Sequence, residues 1–551
     1  MSCTPRSLSL RRTLALVAIF VARFGPEARA QVFDYRVVGG SSDLGFGGAV
    51  SRIGDVDQDG CDDLVVGAPD SGASSGAVAI LSGKTGAVLA HLDGTTTSQL
   101  GFAVDGKIDA DGDGWPDVLI GAPGDSTSAS MGGGVMIYSP HLNLTLVDIH
   151  SSTSNALLGS SVRTLEADLD GDSIDDFVAG APVANNAFVF SGRNGAVIFT
   201  ESGQSGSLFG ASVSLAGKLD GDKFVDFVVG SPLYLSSAGK KSGRVVAYSG
   251  KDGSQLWAVN GAADSRFGQS LAHPGDLDGD GHGDLVVGAP FHLDANGIVK
   301  TGCATVLSGA TGAVLYKVFG DQAGDEFGDS VRGLGGDLDG DGTSDFVVGA
   351  PQLSGAQRGY ARVISGASGA TLFTLGEHGD PNGINFYGYA VTSGDFDNNK
   401  RTDVVVGGNA HNGGQGNVET WTTAVARWSN YDTGYPGTLG VPTFTARNDP
   451  VVGRHLDLDL SNSLGATTAG LVVIGVSQAS IPTGKGGRLL VDPLLFLLVS
   501  VPASGLTLSG GVPNDPSLYG FDLDLQALEL DAGAPLGLSF TPGLDLTFGY
   551  P

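Results

Sequence analysis

The stretch Asp109-Ala-Asp111-Gly-Asp113-Gly-Trp-Pro-Asp117 constrains this chain more than any other, because it recurs in intact or degraded form seven times. Carboxylates at positions one, three, five and nine of a tight, glycine-bearing loop converge on one centre. Their mutual repulsion is relieved if a hard divalent cation, Ca2+ above all, occupies that centre and takes oxygen ligands. The companions begin at Asp55, Asp168, Lys218, Asp276, Asp337 and Asp395, so successive starts lie 50 to 61 residues apart. A period of that size marks a chain built from repeated supersecondary units.

The loops are not equal. Four carry the full set: Asp55, Asp57, Asp59 and Asp63; Asp109, Asp111, Asp113 and Asp117; Asp276, Asp278, Asp280 and Asp284; Asp337, Asp339, Asp341 and Asp345. The third, with Asp168, Asp170, Asp172 and Asp176, has Ser173 where glycine would relax the turn, and is still expected to bind. The seventh offers Asp395, Asp397, Asn399 and Asp403, keeping an oxygen but losing a charge, which predicts weaker affinity. The fourth replaces the first ligand with Lys218 ahead of Asp220, Asp222 and Asp226. An ammonium cannot ligate Ca2+, and its charge can instead sit among the three carboxylates as a built-in cation, so an empty site is expected here about as readily as a filled one. By analogy with other Asp-rich loops, position seven would add a backbone carbonyl, and its side chain varies freely, from Cys61 to Trp115 to Arg401. An EF-hand is excluded at position twelve, where its bidentate Glu is replaced by Val66, Ile120 or Val287, inside strand-like runs.

Each loop is preceded by a Phe/Leu-Gly element, such as Phe46-Gly47, Leu158-Gly159, Phe209-Gly210, Phe267-Gly268 and Phe327-Gly328. Each is followed by an apolar run ending in Gly-Ala-Pro or a relative of it: Gly67, Gly121, Gly180, Gly230, Gly288 and Gly349 begin these endings, and Gly407-Gly-Asn409 is the worn seventh. This compound motif resembles the FG-GAP repeats of the seven-bladed propeller of integrin alpha subunits and of many secreted bacterial proteins. The resemblance spans residues 31–425. It implies an all-β fold, a seven-bladed β-propeller, with Ca2+ bound in its loops and an extracellular role in adhesion.

The repeats read as four short strands each. In the first these are 47–53, 63–68, 77–81 and 87–92, with Ser82-Gly-Lys-Thr-Gly86 as a hairpin turn echoed at Ser191, Ser249, Ser308 and Ser365. Four strands per repeat fit propeller blades, which close on themselves and need no caps. The seventh repeat lacks its last turn and strand after Trp421, while 32–37 reads as a strand where fourth strands normally stand. The N-terminal strand is therefore expected to complete the seventh blade and leave no open edge.

The ends and the composition set the rest. Residues 1–30 read as a signal peptide, with Arg6, Arg11 and Arg12 ahead of a short apolar segment and Ala28-Arg-Ala30 as the cleavage site. No segment of the mature chain is long and apolar enough to span a bilayer, so the protein is expected to be secreted or held at the cell surface, as a monomer. The net charge of -29 makes nucleic acid and anionic membranes poor partners, and much of the acidity lies in the loops. Cys61 and Cys303 fall in distant repeats and are expected as free, buried thiols, so metal takes the place of a disulfide framework. Residues 426–551 lose the repeat and read as a small C-terminal β-sandwich-like domain.

Chemistry outside the loops is sparse. Gly83-Lys84-Thr85 lacks the upstream glycine of a phosphate loop, and the Gly72–Gly76 string that mimics a nucleophile elbow sits in a Gly/Ser turn. The histidines, among them His150, His273, His292 and His411, show no ligand spacing. Three readings remain: a non-catalytic binder of an extracellular protein or glycan, a secreted enzyme cleaving polysaccharides or phosphodiesters, and a structural envelope component. On the first, the connectors after Gly-Ala-Pro lie at the end of the ring opposite the metal loops. Those of repeats four and five, with Tyr234, Lys240, Lys241 and His292, are then the place for a ligand.

Overall fold

The computed structural model describes residues 31–40, 43–352, 359–376, 386–409, 416–423, 427–452, 454–513, 518 and 521–549. Residues 1–30, expected as a signal peptide, and His411 lie outside these residues. Two compact units emerge, one of residues 33–422 and one containing 423–551.

The larger unit consists of seven four-stranded antiparallel sheets among the described residues. Sheet one is formed by Ala49–Gly54, Asp63–Ala68, Ala77–Leu81 and Val88–Asp93. Sheets two to six occupy 103–150, 161–202, 212–260, 271–319 and 330–376. Sheet seven pairs Tyr387–Gly394, Asp403–Gly408 and Asn417–Thr423, and Gln31–Val38 adds to its outer edge. The first strand of each sheet packs on the first strand of the next, and that of sheet seven returns to that of sheet one. A closed ring of radial sheets is the β-propeller architecture.

The second strand of each sheet is buried throughout, because it is covered on both faces by neighbouring sheets, and this explains runs such as Asp63-Leu-Val-Val-Gly-Ala68. The fourth strand alternates exposed and half-buried residues, as in Val88–Asp93. Between sheets lie apolar seams, for example Ile53, Val65, Val78 and Ile80 of sheet one against Leu100, Val104, Val118 and Ile120 of sheet two.

The seams also explain the glycines of the repeat. A Cβ on Gly67 would meet the carbonyl oxygen of Gly101 at 1.9 Å, and one on Gly288 would meet that of Gly328 at the same distance. The equivalent contact between Gly407 and Gly47, at 2.3 Å, closes the ring. Only a residue without a side chain fits where the end of one repeat meets the start of the next. Four serines fasten the same seams, with Ser161, Ser212, Ser270 and Ser330 donating to the carbonyls of Gly210, Gly268, Gly328 and Gly388 at 2.8–2.9 Å.

At the axis, polar side chains from four first strands meet. Asp105 accepts from Ser51 (2.7 Å) and from the amide and hydroxyl of Thr164 (3.0 and 2.9 Å). Arg163 and Arg332 stand 3.4 and 3.6 Å from the same carboxylate, and Arg332 also donates to Ser51. The ring is thus pinned across its centre as well as around its rim.

In the smaller unit, a six-stranded antiparallel sheet and a three-stranded one share a core of Phe444, Leu456, Leu458, Leu460, Val472, Ile474, Leu523, Leu525, Leu544 and Leu546. The alternation in His455-Leu-Asp-Leu-Asp-Leu460 places the three leucines inside and both aspartates towards solvent.

Candidate metal centres

Each acidic loop joins the first strand of its sheet to the second, so all seven lie at one end of the ring and the Gly-Ala-Pro connectors lie at the other. The ninth-position aspartate opens the second strand or immediately precedes it and is carried inside with it. Asp63, Asp117, Asp176, Asp226, Asp284, Asp345 and Asp403 are all fully buried.

Local hydrogen bonds shape the loops. The position-six amide donates to the first carboxylate from Gly60, Gly114, Ser173, Gly281, Gly342 and Lys400, at 2.8–3.1 Å. This contact requires a left-handed backbone, and φ is 91° at Gly60 but also 71° at Ser173 and 66° at Lys400, where a side chain makes it unfavourable. Loop four, with Lys218 in place of the acceptor, has no positive φ at Lys223. The amide of position seven donates to the position-five side chain in all seven loops, at 2.7–3.0 Å.

Positions one, three and nine converge. Asp55, Asp57 and Asp63 each bring one carboxylate oxygen within 4.8 Å of the others, as do Asp109, Asp111 and Asp117, then Asp168, Asp170 and Asp176, and Asp276, Asp278 and Asp284. In loop four the group is Asp220, Asp222 and Asp226, so position five moves in where Lys218 fails. The built-in-cation expectation for Lys218 is not met: among the described residues no carboxylate comes within ion-pair distance of its ammonium. Asp59, Asp113, Asp172 and Asp280 stand outside these triads. The second oxygen of Asp172 turns to Arg193 (3.2 Å) and Ser191 (3.4 Å), and that of Asp341, in loop six beside Asp337, Asp339 and Asp345, to Ser365 (3.3 Å). In loop seven Asn399 donates to Asp397 at 2.8 Å, and Lys400 lies 4.0 Å from Asp395.

The ninth aspartate has a second task that the sequence did not disclose. Its Oδ2 accepts from the position-two amide, and its Oδ1 accepts from the first glycine of the Ser-Gly hairpin at Gly83, Gly192, Gly250, Gly309 and Gly366, at 2.9–3.0 Å. Ser139-Pro140 occupies this turn in sheet two, and proline has no amide proton. Asp117 Oδ1 is accordingly buried without a hydrogen-bond partner. The sequence signal was there, in a proline at the place of the hairpin glycine.

Burial, reinforced by neighbouring carboxylates, pushes Asp63, Asp176 and Asp284 up to about 6 and Asp117 and Asp345 up to about 7. Such sites call for positive charge. An all-oxygen set of clustered carboxylates with an orphaned buried oxygen at Asp117 suits a hard cation such as Ca2+ rather than a soft one.

The decoys resolve simply. Gly83-Lys84-Thr85 is the hairpin turn itself, with Lys84 Nζ donating to the carbonyl of Asp59 at 3.2 Å. The Gly72–Gly76 string lies in and after a single helical turn, Ser71–Ser74, rather than in the plain turn expected. His273 is held against the carbonyl of Asp284 at 3.0 Å, and burial lowers its pKa. Cys61 and Cys303 are free and buried.

The family model for the FG-GAP repeat matches residues 46–81, 267–301 and 332–364. The chain is 32% identical to integrin alpha-5 of Xenopus laevis over 221 residues, which are 36% of this chain and 20% of that protein. It is 31% identical to integrin alpha pat-2 of Caenorhabditis briggsae over 243 residues, 38% and 19% of the two chains. Human integrin alpha-IIb is 37% identical over 86 residues, 14% and 8%. The chain therefore covers about a fifth or less of the length of these relatives. The chain thus carries FG-GAP repeats in three matched segments and is homologous over the aligned part to integrin alpha subunits.

Proposed function

We propose that this protein is a secreted, non-catalytic β-propeller that binds Ca2+ in its acidic loops and presents its opposite rim to an extracellular protein or glycan. The observation that carries this reading is the convergence of three carboxylates, one of them fully buried, in loop after loop at a single end of the ring. Metal there stiffens the turn between the two innermost strands, leaving the connectors to vary. Relatedness to integrin alpha subunits supports an adhesive role outside the cell. No helix of the described residues is long and apolar enough to cross a membrane.

The ligand set is Asp at positions one, three and nine of loops one, two, three, five and six, with position five contributing directly or through water. Loop seven binds more weakly, and loop four lacks its first ligand. The test is calorimetric titration of the metal-free chain with Ca2+, followed by capture from cell-surface extract with and without Ca2+. Saturable uptake of several ions, a raised melting temperature and Ca2+-dependent capture are expected. An unchanged melting temperature with no uptake overturns the proposal.

A further inference from the structure

The connector end of the ring holds a cleft of about 270 Å³ between sheets four and five. Its wall includes Leu233, Lys241, Asp264, Arg266, Phe291 and Lys300. Three cations meeting in one recess are unexpected in a chain with net charge -29. Among the described residues, none of the three has a carboxylate within 4.0 Å, and Asp264, which shares the cleft, pairs with none of them. The charge of Arg266 also acts on the buried carboxyl of Asp329, and Asp264 shares the wall; three cations against two carboxyls still leave an excess of positive charge, which suits a negative ligand.

The cations are held in place. The Arg266 guanidinium lies over the Phe291 ring, 4.3 Å from its centroid, a contact that holds the charge at the cleft while its N–H donors can grip a carboxylate or sulfate. Lys300 lies 5.8 Å from the same centroid. The two connectors are braced rather than loose. Ser242 donates to the carbonyl of Tyr234 (2.9 Å) and Leu235 bridges Lys241; Gly302 donates to His292 (3.1 Å) and Leu293 bridges Lys300. Asp294 further accepts from the amides of Ile298 (2.7 Å) and Val299 (3.2 Å). Tyr234 itself faces elsewhere, accepting from Arg244 at 2.9 Å.

We propose that this cleft binds an acidic oligosaccharide, with Lys241, Arg266 and Lys300 gripping its carboxylate or sulfate groups and Leu233 and Phe291 receiving the apolar face of a sugar ring. The volume lies just under the usual range for organic ligands, so it takes one or two sugar units and not a helix. A peptide is disfavoured because the main-chain amides of the wall are already engaged: Leu233 donates to Ser207, Asp264 to Lys241 and Phe291 to Ser265. An extended backbone finds no ladder here, whereas side-chain cations read acid groups directly. The inference rests on the extracellular-binding reading and names its ligand class.

The test uses the full chain at saturating Ca2+ and calorimetric titration with four probes: tetragalacturonate, a heparin-derived tetrasaccharide, neutral maltotetraose and tetraglutamate. The uronic and sulfated arms separate the two sources of acid group. Saturable binding of at least one acidic sugar, none of maltotetraose, and a loss of tenfold or more in Lys241→Gln/Arg266→Gln/Lys300→Gln are expected. Lys251→Gln, exposed at the metal-loop end, leaves affinity unchanged. All three cleft cations are exposed, but Arg266 also acts on the buried Asp329, so Lys241→Gln/Lys300→Gln is tested beside the triple variant; it is expected to keep the parent melting temperature and still lose affinity for the acidic sugar. Equal affinity for tetraglutamate, no binding of either acidic sugar, or full binding by the triple variant each overturns the inference. If Ca2+ uptake and Ca2+-dependent surface capture survive that failure, the wider reading stands without it.

Discussion

The amide of Gly83 donates to Oδ1 of Asp63 at 3.0 Å, tying the outer hairpin of a sheet to the metal loop beside it. The same tie recurs from Gly192, Gly250, Gly309 and Gly366, and fails only where Pro140 removes the donor from Asp117 among the six sheets with this hairpin. Pro140→Ala restores an amide at that place. Thermal unfolding of the metal-free protein is expected to show a gain of about 0.5–1.5 kcal/mol, the usual net value of one hydrogen bond. Asp284→Ala, which strands the Gly309 and Leu277 amides in a buried setting, is expected to cost about 2–4 kcal/mol under the same conditions.

Loop four has the scaffold of a site without its first carboxylate. Lys218→Asp supplies an acceptor for the position-six amide and completes the one, three, nine triad. Calorimetry is expected to count one more Ca2+ per chain in this variant than in the parent. An identical stoichiometry would show that the loop's backbone, and not its charge, keeps the ion out.

Asp105 collects two arginines and two hydroxyls at the axis while only 2% exposed. Asp105→Ala leaves Arg163 and Arg332 facing each other with nothing between them. Urea denaturation followed in the 33–422 unit is expected to show a loss of about 3–5 kcal/mol, as for other buried pairs broken on one side. Asp105→Asn, which keeps the shape and one of the two acceptor oxygens but not the charge, is expected to fall between.

In the C-terminal unit Asp524 stands directly opposite Asp545 across two strands. Burial, with Asp545 and Asp522 adding their charge, pushes Asp524 up to about 6. The folded state therefore holds this proton more tightly than the unfolded chain does. Its stabilising effect is complete below pH 4 and fades as pH rises from 4 to 6. Melting of the C-terminal unit is expected to be higher at pH 5 than at pH 7.5 by an amount equivalent to about 1–2 kcal/mol, and Asp524→Asn is expected to flatten the difference.

Most of the ring was legible because its signals are local. The Gly-Ala-Pro endings, the acidic loops and the Ser-Gly turns each mark one junction, and the strands expected in the first repeat lie within two residues of those found. What escaped was the meaning of residues that act across the sequence. Nothing in Gly67 announces that the carbonyl of Gly101 will stand where its side chain would be, and nothing in Asp63 announces Gly83. Lys218 is a similar case: its charge suggested a role inside the loop, but among the described residues no carboxylate stands within ion-pair distance of it, and Asp222 completes the triad. The basic cleft was half-visible, since Lys241 stood out in its connector while Arg266 sits in the link between two repeats.

Sheet seven takes its outer strand from Gln31–Val38 and its other three from the end of the ring, with Arg36 paired to Glu419. Chain segments almost four hundred residues apart must therefore meet before the circle exists. During synthesis the first six sheets can form in turn as they leave the ribosome, while the opening strand waits, unpaired, for partners not yet made. The ring cannot be sealed before Asn417–Thr423 has been made, and in that interval an unpaired opening strand is open to wrong partners.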